Sequence, residues 1–106
     1  MDKAAVIKIL DQFYQKIKAR GIRPLKLILY GSYATDTNWE GSDIDIVVIS
    51  DDFNGKDYWE RIDILTEVIY EIFAPIEAVA MTQAEWDQGD LFVIDFARNG
   101  EVLFAA

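Results

Sequence analysis

Two apolar runs lie too close together in this chain to be joined as a parallel pair of strands. Residues 25–30 (Leu-Lys-Leu-Ile-Leu-Tyr) and 44–49 (Ile-Asp-Ile-Val-Val-Ile) each have the composition and turn-bounded length of a buried strand. The polar, turn-rich connection between them is about eleven residues (32–42), whereas a parallel crossover takes a dozen or more, usually with a helix. The two strands are therefore expected to be antiparallel. A third apolar run, residues 76–81, follows a stretch long enough for a full helix, as a right-handed parallel crossover requires. In that arrangement the end of the first strand and the starts of the other two share one edge. Gly31 and Ser32, Asp43 and Asp45, and Glu77 should then meet on a single rim of a mixed sheet.

The remainder of the chain supplies the covering layers. Val6, Ile7, Leu10, Phe13, Tyr14 and Ile17 recur at three- and four-residue spacing, predicting an amphipathic helix over about residues 3–20, with Gly21 and Pro24 as stop signals. Residues 51–55 read as a loop, and the Asp51-Asp52 run as a solvated turn. Tyr58, Ile62, Leu65, Ile69, Ile72 and Phe73 mark a second long helix, ended by Pro75. Thr82 and Glu85 form a capping box opening a helix broken at Gly89; residues 91–97 are an apolar helix or strand, and residues 102–104 a last strand. The expected fold class is α/β: one domain over residues 1–106, with a small mixed β-sheet packed with helices.

The chain contains no histidine and no cysteine. Ser-His and Cys-His nucleophiles, disulfides and imidazole or thiolate metal sites are thereby excluded. Chemistry here must rest on carboxylates, hydroxyls, lysines or a hard metal ion. A composition 52% hydrophobic supplies a core. No apolar run approaches a transmembrane length and the N-terminus shows no secretory pattern, so a cytoplasmic protein without membrane contact is expected. The net charge of −9 argues against direct nucleic-acid binding. The cations concentrate near the N-terminus, where Lys16, Lys18 and Arg20 complement the dipole of the first helix.

Asp43 and Asp45 are two apart on a strand, so they point to the same face about 7 Å apart at the backbone. Two such carboxylates repel unless a cation neutralises them, and oxygen-only ligands suit Mg²⁺. Solvated surface aspartates are the plainer reading, but the Ile44 to Ile49 run around them is buried-strand composition, where an uncompensated carboxylate is costly. Gly31 lets the backbone approach a ligand, and the Ser32 hydroxyl adds a donor for a phosphate oxygen. Trp39, in the intervening loop, is placed to stack on a nucleobase or to touch a partner. Tyr58, Trp59, Tyr70 and Phe73 fall at helical spacing and read as core or interface.

Gly31-Ser32-Tyr33-Ala34 followed by Gly41-Ser42-Asp43-Ile44-Asp45-Ile46-Val47-Val48 resembles the signature of the DNA polymerase β-like nucleotidyltransferases, and most of all their minimal (MNT) members. The likeness runs from the first helix to Asn99-Gly100-Glu101-Val102-Leu103-Phe104. It implies the polymerase β-like nucleotidyltransferase fold, triphosphate contacts from Gly31, Ser32 and Ser42, and two Mg²⁺ (or Mn²⁺) held by Asp43 and Asp45. It also implies transfer of a nucleoside monophosphate, AMP from ATP, to a hydroxyl. The chain departs from the family pattern at Thr35-Asp36. It also carries Glu77 where the third carboxylate, a metal ligand or base, is usually aspartate. Larger relatives close a second domain over the acceptor; here the acceptor site is expected from another chain or from a second copy in a homo-oligomer. Minimal members often accompany a HEPN-type ribonuclease as its antitoxin, which makes a HEPN-type protein the expected partner. The alternative is a noncatalytic module of the same fold that masks a partner by binding.

Overall fold

Asp2 opens the first helix, α1 (Lys3–Ala19), by accepting the Ala5 N–H at 2.8 Å. Its inward stripe, Val6, Leu10, Phe13 and Ile17, is fully buried. The structure is a computed structural model and describes residues 1–105. Four strands follow in the chain, β1 (Lys26–Tyr30), β2 (Ile44–Ile49), β3 (Ile76–Met81) and β4 (Glu101–Ala105). Their spatial order is β3-β2-β1-β4. β1 is antiparallel to β2 and to β4, while β2 and β3 run parallel. The short connection and the helical crossover therefore act as expected.

Period-two alternation along the strands divides the core in two. Leu27, Leu29, Ile44, Ile46, Val48 and Ile76 face α1 and the long helix α2 (Tyr58–Ile72). Ile28, Val47, Ile49 and Met81 face α3 (Gln83–Gln88) and α4 (Phe92–Ala97), through Trp86, Ile94 and Ala97. Both internal helices of the β3-side layers start on reciprocal capping boxes, Asp57 with Glu60 and Thr82 with Glu85. Gly89 ends α3 in the left-handed conformation. The run 91–97, open between helix and strand on its sequence, is a helix over Phe92–Ala97 because it covers a sheet face rather than joining the sheet.

Four expectations are refined by the structure. Residues 51–55 include a 3-10 turn, Asp51–Phe53, whose Phe53 is fully buried; the Ser50 hydroxyl caps it by accepting the Asp52 N–H. The Asp51-Asp52 pair is also not merely solvated. Asp52 accepts the Arg23 N–H at 2.8 Å, a bond that, with the nearby guanidinium, holds its carboxyl below the ordinary range. Of the two readings open for Tyr58, Trp59, Tyr70 and Phe73, core or interface, exposures of 65%, 70%, 78% and 88% exclude the core. The neighbours of α2 cover only a narrow stripe centred on Leu65 and Val68. Finally, Lys16 and Arg20 do more than sit at a helix end, since both reach across to Glu71 on α2 and Arg20 also reaches Glu67.

Candidate active site

The register of the sheet builds the site. Tyr30 on β1 lies opposite Asp45 on β2, and Asp45 lies level with Glu77 on β3. All three side chains emerge on one face, at the rim where β1 ends and β2 and β3 begin. Asp43, immediately before β2, is exposed on the same rim. Together with Ser32, Trp39, Gly41 and Ser42, the three carboxylates line an open depression of about 270 Å³.

Gly31 is fitted to this place. Its φ of +74° is in the left-handed region, and a Cβ there would collide with the Asp45 Oδ2. The backbone then curls through two turns, Ala34 N–H to Gly31 O at 3.1 Å and Thr37 N–H to Ser32 O at 3.0 Å. Among the described residues, the N–H groups of Ser32 and Tyr33 have no backbone acceptor, and Ser32 lines the depression. Ser42 lines the depression too, but its hydroxyl accepts the Trp39 N–H at 2.9 Å while its own N–H donates to Trp39 O at 3.0 Å. What Ser42 visibly does is hold Trp39 at the rim, and that indole is 69% exposed.

The electrostatics are those of crowded acids. Burial, then the charge and hydrogen-bonding reach of Glu77, then the charge of Asp43, push the Asp45 carboxyl up to about 6. Tyr30, which the sequence reading passed over, is pushed up to about 12 by burial and by Asp45 and Glu77, so its hydroxyl keeps its proton. Its signal was available: antiparallel pairing across the short connection puts it opposite Asp45. No ion pair among the described residues involves Asp43, Asp45 or Glu77.

Oxygen donors crowded without a counter-cation fit a hard divalent ion. Among the described residues no three acidic side chains close into a ready ligand shell. That still fits Mg²⁺, which usually takes one or two carboxylates and completes its sphere with water and phosphate oxygens. All six residues singled out in the sequence, Gly31, Ser32, Ser42, Asp43, Asp45 and Glu77, are thus brought to one rim.

The nucleotidyltransferase-domain family profile matches residues 6–95. The chain belongs to the nucleotidyltransferase domain family. A Methanocaldococcus jannaschii protein named "Putative protein adenylyltransferase MJ1305" is 38% identical over 72 residues, 67% of this chain and 48% of its own length. The match therefore spans about half of that relative. A "putative nucleotidyltransferase" from Sulfolobus solfataricus superposes with a TM-score of 0.72 at 13% identity, over 94% of this chain and 80% of that one. A toxin–antitoxin structure with AMP-PNP superposes with a TM-score of 0.58 at 20% identity, over 100% of this chain and 75% of that one. At such identities the structural likeness is one of fold, and the fold is that of the nucleotidyltransferases. Among the described residues, no helix is long and apolar enough to cross a membrane.

Proposed function

We propose that this nucleotidyltransferase domain transfers AMP from ATP to a hydroxyl on a partner protein, and that a HEPN-type toxin is that partner. One observation carries the reading: Asp43, Asp45 and Glu77 crowd one rim directly beside a glycine turn whose Ser32 N–H has no backbone acceptor among the described residues. The name of the Methanocaldococcus relative and the AMP-PNP in the toxin–antitoxin structure support the choice of adenylate and of partner.

Asp43 and Asp45 would hold two Mg²⁺, or Mn²⁺ in their place, with Glu77 in reach of the same rim. Bound there, the ions would offset the carboxylate charge and stabilise the negative charge of the triphosphate. The chain's own groups do the rest. Ser32 donates its hydroxyl, and the Ser32 and Tyr33 N–H groups their protons, to phosphate oxygens. Trp39 stacks on the base. Glu77 accepts the proton of the incoming hydroxyl as that oxygen bonds to the α-phosphorus; the bond from the α-phosphorus to the bridging oxygen breaks and pyrophosphate leaves. Tyr30, holding its proton, remains a donor facing the carboxylates. Positioning and charge stabilisation supply most of the rate in such transfers, so the domain alone should turn over ATP negligibly.

A second reading, masking of the partner by contact alone, is favoured by the exposed aromatic side chains of α2. ATP labelled at the α-phosphate, incubated with the domain alone and with the product of the adjacent gene, separates the two. Label on the partner, lost in Asp43→Asn, supports transfer. Tight binding without label, undiminished in Asp43→Asn, establishes masking instead.

A further inference from the structure

A cavity of about 500 Å³, larger than the carboxylate depression, runs along the other side of β3. Its floor is Ala78, Val79 and Ala80, and its walls include Tyr58 from the start of α2 and Phe92 from the start of α4. β3 is an edge strand, paired only with β2 among the described residues. The Ile44 N–H donates to Pro75 O at 2.7 Å and the Ser50 N–H to Met81 O at 2.9 Å, so the odd-numbered residues of this segment turn their backbone toward β2. Strand alternation then directs the N–H and C=O groups of Ala78 and Ala80 outward, into the cavity.

Edge strands are ordinarily blunted by charge, proline or a bulge. Here the single charge on β3 is Glu77, at the active-site end, and the middle of the strand carries only small apolar side chains. Tyr58 and Phe92, which line the cavity, each belong to an exposed aromatic pair, with Trp59 at 5.1 Å and with Phe96 at 5.0 Å between ring centroids. An exposed apolar surface of this kind marks a binding site. Arg61 joins the walls: it donates to Phe53 O, Lys56 O and the Glu85 carboxylate, tying α2, the turn before it and α3 together. Lys56 lines the cavity and its ammonium forms no ion pair among the described residues, on a chain of net charge −9.

We infer that this groove docks an extended segment of a partner polypeptide as an added strand on β3, hydrogen-bonded to Ala78 and Ala80. Backbone donors and acceptors in a row recognise a strand, not a helix or a small molecule. The segment's apolar side chains lie between Tyr58 and Phe92, and an acidic residue meets Lys56. A second copy of this chain fits less well, because it would set one acidic domain against another. Ala78 is the residue after Glu77, so a strand laid along β3 leads directly to the carboxylate rim. That it delivers the acceptor hydroxyl there rests on the transferase reading; the docking itself does not.

The probe is a set of short randomised peptides displayed on phage, selected on the wild-type domain and then synthesised. Selected peptides should slow hydrogen exchange at the Ala78 and Ala80 amides. They should bind at least about tenfold more weakly, or about 1.4 kcal/mol, to Tyr58→Ser/Phe92→Ser and to Lys56→Glu. Mg²⁺-ATP binding should be unchanged in these variants, whose altered side chains are exposed or at the cavity mouth. Failure to select any peptide, protection at sites other than β3, or concentration-dependent protection of Ala78 and Ala80 with dimer formation in sedimentation would each overturn the proposal. Loss of Mg²⁺-ATP binding by the wild type would instead overturn the transferase reading and leave the peptide result standing.

Discussion

Asp45 and Glu77 stand level across the parallel β2–β3 ladder, two carboxylates on one face of a sheet with no cation paired to either among the described residues. The domain accepts a cost in its ligand-free state to keep this arrangement. Charge that a bound cation would relieve is, without it, a liability to folding.

That liability has a pH dependence. The Asp45 carboxyl, ordinarily near 3.8, is raised to about 6. Through that window the native state keeps a proton that the unfolded chain has released, so this group makes stability fall as pH rises, with the whole penalty present above the folded value. Asp45→Asn removes the titration. In metal-free buffer the variant should melt several degrees above wild type at about pH 7.5, and the gain should shrink toward about pH 4. A variant less stable than wild type at the higher pH would show that the carboxylate is compensated rather than strained.

Gly31 and Gly41 separate backbone strain from contact. Both have positive φ, +74° and +90°, but a Cβ at Gly41 meets nothing whereas one at Gly31 meets the Asp45 carboxylate. Gly41→Ala should cost about 1–2 kcal/mol, the conformational penalty alone. Gly31→Ala should cost more and should also abolish Mg²⁺-ATP binding, by displacing Asp45. Equal losses in denaturant melts would mean that the close approach of Gly31 to Asp45 does not matter.

Much of this was legible in the sequence because chain length limits topology. The short link between residues 30 and 44 permits only antiparallel pairing, and the helical link to residue 76 permits a parallel one. Those two facts bring Gly31, Asp45 and Glu77 to one rim before any side chain is seen. What escaped depends on neighbours. Helical spacing marks α2 but does not say how wide a stripe its neighbours cover, so it groups Tyr58 with Leu65, of which only Leu65 is buried. Phe73 escapes the stripe because it caps the helix with φ of 58° and turns outward. The bond from the Trp39 N–H to the Ser42 hydroxyl follows from a turn geometry that the motif does not encode. Phe53, between loop-forming residues, became core because Ser50 caps a short turn beneath it.

Glu77 should act in the chemical step rather than in binding. Glu77→Gln keeps the shape and removes the base, so ATP affinity should stay within several-fold while AMP transfer falls by roughly 10²–10⁴. Single-turnover transfer alongside equilibrium binding reads both. Unchanged transfer would return Glu77 to the part of a charge that guards the end of an edge strand.

Trp39, pinned at the rim by Ser42, should select for a base. Trp39→Ala should weaken Mg²⁺-ATP by roughly tenfold, within the 1–3 kcal/mol of a base–aromatic stack, and leave Mg²⁺-tripolyphosphate, which has no base, unaffected. Equal weakening of both ligands would assign Trp39 to the shape of the loop instead.

The most direct test of the account is calorimetric titration of ATP into the domain with and without Mg²⁺, in wild type and in Asp43→Asn/Asp45→Asn. The account predicts binding to the wild type that requires Mg²⁺, and none to the double variant, whose metal-free fold melts at least as high as wild type. Binding of equal strength to the double variant, or wild-type binding indifferent to Mg²⁺, would contradict it.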